Sequence, residues 1–216
     1  PVPTKKWSPP PEMTVPMYEL MITLSDLPIW RRVLVRGDMN LGLLHAIIQV
    51  AMGWTNSHLH QFIIKNKFYT DLLTCDELDT DSENLDEEEA VLRVVAPKEN
   101  TRFYYEYDFG DSWDHTITVE KIHKSTTPPK RVAECLDGSG ACPPEDCGGI
   151  GGYADLLEII QDPSHKEYEP IMVWLGGGFD PDAFDLATVN KYLRKVKYPR
   201  MTEDQLAKVL MERDGY

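Results

Sequence analysis

Residues 102–120, RFYYEYDFGDSWDHTITVE, carry the strongest β-hairpin signal in the chain. Two runs rich in aromatic and β-branched residues flank a segment of the Gly and Asp residues that tight turns favour. If the central Gly-Asp pair is a two-residue turn, Glu106 faces His115 and Asp108 lies one step along the same face. A three-residue turn would instead pair Tyr107 with His115. The opposite face, which is the predicted core side, carries Phe103, Tyr105, Tyr107 and Phe109.

The polar side chains around this hairpin exceed what a turn requires, although taken singly each fits a solvated turn. A second polar group follows in CPPEDCGGIGGY, where Glu145 and Asp146 lie between stiff prolines and permissive glycines. Loops of this kind position functional groups on rigid scaffolds. We therefore predict a shared polar cleft. Its candidate residues are Glu106, Asp108, Asp111, Trp113, His115, Glu145 and Asp146.

Histidine spacing adds a metal hypothesis. His58 and His60 are two residues apart in HLHQFIIK, so on a strand their imidazoles share a face and can bind one ion. His45 lies on the preceding predicted helix. The cofactor is not fixed by the sequence, and a divalent metal ion is the candidate. Its candidate ligands are His58, His60, Asp108, Asp111 and His115.

Two other motifs carry weaker signals. Cys135, Cys142 and Cys147 lie in one turn-rich segment, but their spacing is not that of a standard zinc knuckle and no fourth ligand is evident. The glycines of GGIGG do not follow a strand with phosphate-loop spacing and lack a Gly-Lys-Ser ending. We predict reduced cysteines and no phosphate loop.

The remaining periodicities predict an α+β fold, with a mainly antiparallel sheet packed against C-terminal helices. A hairpin over 18–36 leads into a helix that begins after Asp38 or Asn40 and stops at Gly53, an order typical of a β-grasp-like half. Residues 124–152 are predicted to be turns. Later helices are expected in 153–161, 183–196 and 202–213, the last with a capping box of Thr202 and Gln205.

Domain organisation follows from composition. Residues 1–16 are Pro-rich and are expected to be mobile, and residues 17–216 form a single domain. An acidic insert near 71–89 contains ten acids and no Lys or Arg, and without it the net charge of −14 would be −4. This negative net charge disfavours direct nucleic-acid binding, because the phosphate backbone is also negative. No apolar run is long enough for a membrane span, so a cytoplasmic protein is expected.

Four motifs in order, LPIWRRVLV, LGLLHAIIQVAMGWTNSHLHQF, YEYDFGDSWDHTITVE and ACPPEDCGGIGGYADLLEII, resemble the plasmid open-reading-frame-three-like family. The similarity extends from Tyr18 to about Leu193. It implies an association with mobile genetic elements, because related proteins carry insertion-element and resolvase-type names, but it transfers no catalytic residue. The nucleophile and basic tail of a serine recombinase are not apparent, and neither is the Arg, His and Tyr set of a tyrosine recombinase.

Two functions from different classes remain open. The first, which we favour at this point, is a binding or adaptor module in which Trp113, Trp174 and nearby acids recognise a basic or peptide partner. The alternative is a divalent-metal-dependent hydrolase acting on phosphate esters or nucleic acid. In that hydrolase Glu145 or Asp146 would act as the base.

Overall fold

The computed structural model describes residues 15–72, 84–124, 131–198 and 200–215. Most of the Pro-rich start and the centre of the acidic insert, with Cys75, therefore lie outside the described residues. The strands are β1 (Met17–Leu24), β2 (Trp30–Arg36), β3 (His60–Ile64), β4 (Lys67–Thr70), β5 (Asn84–Asp86), β6 (Arg102–Tyr107), β7 (Trp113–His123) and β8 (Ala133–Ser139). The helices are α1 (Leu41–Met52), α2 (Leu92–Val95), α3 (Gly149–Gln161), α4 (Tyr168–Trp174), α5 (Leu186–Leu193) and α6 (Glu203–Asp214).

The described strands form one sheet in the order β5-β4-β3-β6-β7-β1-β2-β8. Every neighbouring pair is antiparallel except β4 and β5, which are parallel. The predicted α+β class with a mainly antiparallel sheet is therefore confirmed. None of the helices in the described residues is both long enough and apolar enough to cross a bilayer.

The core lies between one face of this sheet and α1. Alternate residues of β1, β6 and β7 point into it, as period-two strands require, and all but one residue of α1 is buried. Asn40 caps α1 by accepting a hydrogen bond from the Leu43 amide, and Gly53 ends it with a φ of 120°. The sequence allowed either Asp38 or Asn40 as the N-cap of this helix. In the structure the capping side chain is that of Asn40.

The segment between residues 124 and 152 differs from its prediction. It contains β8, which pairs antiparallel with β2 and forms the edge of the sheet. The run AECLDGS is short and contains a glycine and two acids, as edge strands often do. Its sequence alone therefore predicts a loop, and its pairing with β2 makes it a strand. α3 also begins four residues earlier than expected, and α4 was not predicted. The capping box of α6 is confirmed.

Candidate functional site

The hairpin turn sets the geometry of the site. Its loop has five residues, 108–112, because Tyr107 is paired with Trp113 and Tyr105 with His115. Asp108 has a φ of 58°, and its Oδ1 accepts hydrogen bonds from the amides of Gly110 and Asp111 at 3.0 and 3.3 Å. This side chain therefore shapes the turn with one carboxylate oxygen and leaves Oδ2 for other contacts.

The two-residue-turn register and its three-residue alternative were both wrong, and the difference moves two candidate residues. Because side chains alternate along a strand, a shift of one residue in the pairing moves every side chain of one strand to the other face of the sheet. His115 and Trp113 lie on the core side, each 0% exposed. Glu106 lies on the opposite face, where its Oε2 accepts a hydrogen bond from Gln61 at 2.7 Å. Neither His115 nor Glu106 contributes to a cleft with Asp108.

His115 is a core residue. Its Nδ1 lies 3.2 Å from the Tyr105 carbonyl oxygen, its ring meets Trp54 edge to face, and Nε2 has no hydrogen-bond partner. Burial lowers the pKa of this imidazole to about 4. Because His115 lies inside the aromatic core, it cannot share a metal ion with Asp111.

The structure instead brings His58, Asp108 and Asp146 together. The Nε2 atom of His58 lies 3.0 Å from Asp146 Oδ1, 3.5 Å from Asp108 Oδ2 and 3.8 Å from Glu145 Oε2. The ligand atoms of His58, Asp108 and Asp146 all fall within 4.8 Å of one another, and no other group of three metal-ligating residues does so in the described ranges. Imidazole nitrogen and carboxylate oxygen are ligands suited to Zn²⁺, Mn²⁺ and related ions.

Glu145 is held in place by hydrogen bonds that the sequence did not indicate. Its Oε1 accepts from the Thr55 amide at 2.7 Å, from Thr55 Oγ1 at 2.9 Å and from the Tyr107 hydroxyl at 3.0 Å. The Tyr107 hydroxyl in turn accepts from the Ser57 amide at 2.9 Å. Burial and the Glu145 carboxylate raise the pKa of Tyr107, so the phenol stays protonated and donates. Tyr107 was predicted only as core.

Asp111 positions the loop that carries Asp146. Its Oδ2 accepts a hydrogen bond from the Gly148 amide at 3.1 Å. A Cβ on Gly149, where φ is 66°, would lie 2.5 Å from the Asp111 carbonyl oxygen. A glycine at position 149 is therefore required for this close approach of two backbones. Asp111 supports the His58 cluster from outside it.

His60 belongs to a different polar cluster. It is the first residue of β3, its Nε2 lies 2.8 Å from Glu87 Oε2, and its ring stacks on His45 with centroids 3.4 Å apart. His58 precedes the strand, so the predicted shared strand face does not form. His45 contacts the Tyr105 hydroxyl through Nδ1 at 2.8 Å and Asn56 Oδ1 through Nε2 at 2.7 Å.

Burial determines the protonation of this second cluster. It lowers the pKa of both His45 and His60, and it raises the pKa of Glu87 to about 7. The two imidazoles are therefore neutral, and Glu87 exchanges a proton near neutral pH. Glu87 belongs to the acidic insert, which was predicted as mostly loop and was not expected to supply a buried carboxyl group.

A cleft of about 640 Å³ is lined by His58 of the first cluster and by the second cluster, namely His45, His60 and Glu87. Arg200 also lines the cleft, with Nε 3.6 Å from Glu88 Oε2. The acids that line the cleft are Asp71, Glu87, Glu88 and Glu203.

The cysteines do not form a metal site in the part of the chain that is described. Cys135, Cys142 and Cys147 are free, and burial raises the pKa of each thiol. A raised thiol pKa disfavours the thiolate that zinc requires.

Comparisons with known proteins place the chain in a family. The family model described as plasmid pRiA4b ORF-3-like protein matches residues 16–188. An uncharacterized protein, y4hQ, from Sinorhizobium fredii (strain NBRC 101917 / NGR234) is 32% identical over 182 residues, which cover 83% of this chain and 91% of that protein. The crystal structure of MM3350, a protein of unknown function from Methanosarcina mazei Go1, is similar with a TM-score of 0.71 and 32% identity. That similarity covers 81% of this chain and 98% of MM3350.

Proposed function

The chain belongs to the plasmid pRiA4b ORF-3-like family, and from that premise we propose that it is a binding module that holds a divalent cation beside its acidic cleft. The observation that supports this function is the convergence of His58 Nε2, Asp108 Oδ2 and Asp146 Oδ1 within 4.8 Å. Glu145 Oε2 lies 3.8 Å from His58 Nε2, which makes this carboxylate a candidate fourth ligand. The plasmid description of the family agrees with a role linked to mobile genetic elements.

Charge balance favours a cation at this position. The carboxylates of Asp108, Glu145 and Asp146 all face one imidazole nitrogen, and no lysine or arginine among the described residues forms an ion pair with them. The His58 Nε2 atom is buried and makes no hydrogen bond. A divalent ion would use this nitrogen as a ligand and offset the repulsion among the carboxylates.

The simpler alternative is an ion pair of protonated His58 with its carboxylates. The chain contains such a pair elsewhere, where His123 Nε2 lies 3.0 Å from Glu19 Oε2. There, Arg32 and Lys121 also approach Glu19, at 3.8 and 3.7 Å, so that carboxylate is compensated without a metal. This difference makes His123 the matched control for His58.

Elemental analysis of untagged protein and thermal melts with chelator, Zn²⁺, Mn²⁺ and Mg²⁺ test the proposal. We expect one ion per chain, or a melting temperature that rises with one of these ions and falls with chelator. His58→Gln and Asp146→Asn should abolish the rise, while His123→Gln should keep it. If wild type and His58→Gln melt identically with and without each ion, the cation proposal fails and His58 is an ion-pair partner.

Metal-dependent hydrolysis of phosphate esters is a second candidate, favoured by Glu87. A bound cation would supply Lewis-acid activation of water or of a phosphoryl oxygen. Glu87 lines the same cleft as His58 and has a pKa of about 7, which suits a residue that gives or takes a proton at neutral pH. Arg200 on the cleft wall offers a charge for an anionic group.

A screen with p-nitrophenyl phosphate and bis-p-nitrophenyl phosphate in each metal tests this candidate. Hydrolysis should require the ion, and Glu87→Gln should lower kcat by about 10²-fold or more while cation binding is retained. Cation binding without turnover of either ester would support the binding module and contradict the hydrolase proposal.

A further inference from the structure

Helix α4 forms a second candidate binding surface. None of its residues is buried. Val173 is 78% exposed and Trp174 is 49% exposed, which is unusual for large apolar side chains on adjacent positions of a helix. Trp174 was predicted to be an exposed recognition residue, and its exposure supports that prediction, in contrast to Trp113.

Trp174 lines two grooves. One, of about 290 Å³, has an apolar floor made by α3 and α4. The other, of about 410 Å³, lies against the loop that carries Glu145. The apolar residues of the first groove are Leu156, Ile159, Ile171 and Trp174, and those of the second include Trp54, Leu175 and Phe179.

The rim of these grooves is acidic. Asp146 and Asp155 line the first groove. Glu145 and Asp214 line the second, where Arg213 pairs with Asp214. Residues 145–182, which form the α3–α4 region, contain nine Asp and Glu residues and one lysine. An apolar floor with a rim of one charge sign selects a partner that is apolar on one side and carries the opposite charge.

We propose that a basic amphipathic segment of a partner protein docks on the α3–α4 surface, with an aliphatic side chain against Trp174 and a Lys or Arg beside Asp155. The charge disfavours two other occupants. A second copy of this chain carries a net charge of −14 and the same acidic rim, so the two rims would repel. An anionic lipid surface would be repelled for the same reason.

This surface is independent of the cation proposal but adjoins it. Asp146 lines the first groove and is also one of the three residues of the His58 cluster. Measuring peptide binding both in chelator and in saturating Zn²⁺ separates the two ideas. Binding that is present in chelator supports the docking surface whether or not the chain binds a metal.

The probe is a fluorescein-labelled synthetic peptide that forms a Leu- and Lys-rich amphipathic helix, followed by anisotropy. We expect saturable binding that weakens as salt is raised, and we expect none for the same peptide with each Lys replaced by Glu. Trp174→Ala should weaken binding by about tenfold or more, since buried aromatic anchors dominate such interfaces. Asp155→Lys should weaken it as well.

Tyr104→Ala is the matched control, because Tyr104 is 52% exposed on a strand of the sheet, away from α4. It should bind the peptide like wild type, and all variants should have unchanged melts since these side chains are half exposed. Equal affinity of Trp174→Ala and wild type would overturn the proposal. So would a concentration-dependent dimer in sedimentation that Trp174→Ala abolishes, because the occupant would then be a second copy.

Discussion

His58 Nε2 lies 3.0 Å from Asp146 Oδ1, although the six strands β3 to β8 separate the two residues along the chain. His58 precedes β3, and Asp146 precedes α3. The contact depends on the Glu145 carboxylate, which binds Thr55 and Tyr107 and so fixes the loop of Asp146 above the segment of His58. The residues that hold this contact in place are therefore as testable as those that make it.

Removing the supports of Glu145 should weaken the cation site without touching its ligands. We expect Tyr107→Phe to lower the affinity for the preferred ion by about 10- to 100-fold, the usual effect of losing a hydrogen bond to a metal ligand. Isothermal titration with the ion identified by elemental analysis measures this. Tyr104→Phe removes a hydroxyl from the other face of the same strand and should leave the affinity unchanged.

The two roles of Asp108 can be separated by two substitutions. Asn tolerates a positive φ and keeps an oxygen for the Gly110 and Asp111 amides, so Asp108→Asn should keep stability and lose cation binding. Asp108→Ala loses the turn hydrogen bonds as well and should destabilise the fold by about 1–3 kcal/mol. Urea unfolding in chelator measures both. Equal loss of stability in the two variants would contradict the assignment of Oδ1 to the turn.

Alanine substitutions at two nearby glycines, Gly149 and Gly151, should have opposite effects on stability. Gly149→Ala would place Cβ 2.5 Å from the Asp111 carbonyl oxygen at a φ of 66° and should destabilise the chain by at least about 1–3 kcal/mol. Gly151 lies in α3 with open space around its Cβ direction, so Gly151→Ala should stabilise by about 0.5–1 kcal/mol. Denaturant melts of the two variants would show whether the Asp111 contact exists.

Glu87 should make stability depend on pH. Its folded pKa of about 7 lies above the ordinary value of 4.5, so its contribution to stability is full below about pH 4.5 and is lost as pH rises through 7. Glu87→Gln has no such titration. The stability of wild type relative to Glu87→Gln should therefore fall by about 3 kcal/mol between pH 4.5 and pH 8. Unfolding free energies of both proteins across this range provide the test, and a constant difference would mean that Glu87 stays charged in the fold.

The hairpin shows what could be read from the sequence and what could not. The aromatic face of β6 and the β pattern of β7 were correct because alternation is a local property of each strand. The pairing was wrong because the count of loop residues, which depends on the positive φ of Asp108 and Ser112, fixes the register. That one-residue difference moved His115 and Trp113 into the core and left Asp108 beside His58.

The other errors have the same kind of cause. β8 has little strand signal of its own and becomes a strand because β2 offers an unpaired edge. Glu87 is buried because the end of the acidic insert returns against His60, a contact that composition cannot reveal. His58 and His60 were read as one pair from their spacing, yet β3 begins between them and directs them to different partners.

Patterns along the chain were enough to identify the family, the α+β class, the apolar face of each main element and the residue types available for a site. These follow from periodicity, capping and motifs, which are read from neighbouring residues. The meeting of His58, Asp108, Glu145 and Asp146, without His60, His115 and Glu106, became visible only in the folded chain. The reason is that strand register, backbone conformation in tight turns and burial of carboxylates are set by partners that are distant along the chain.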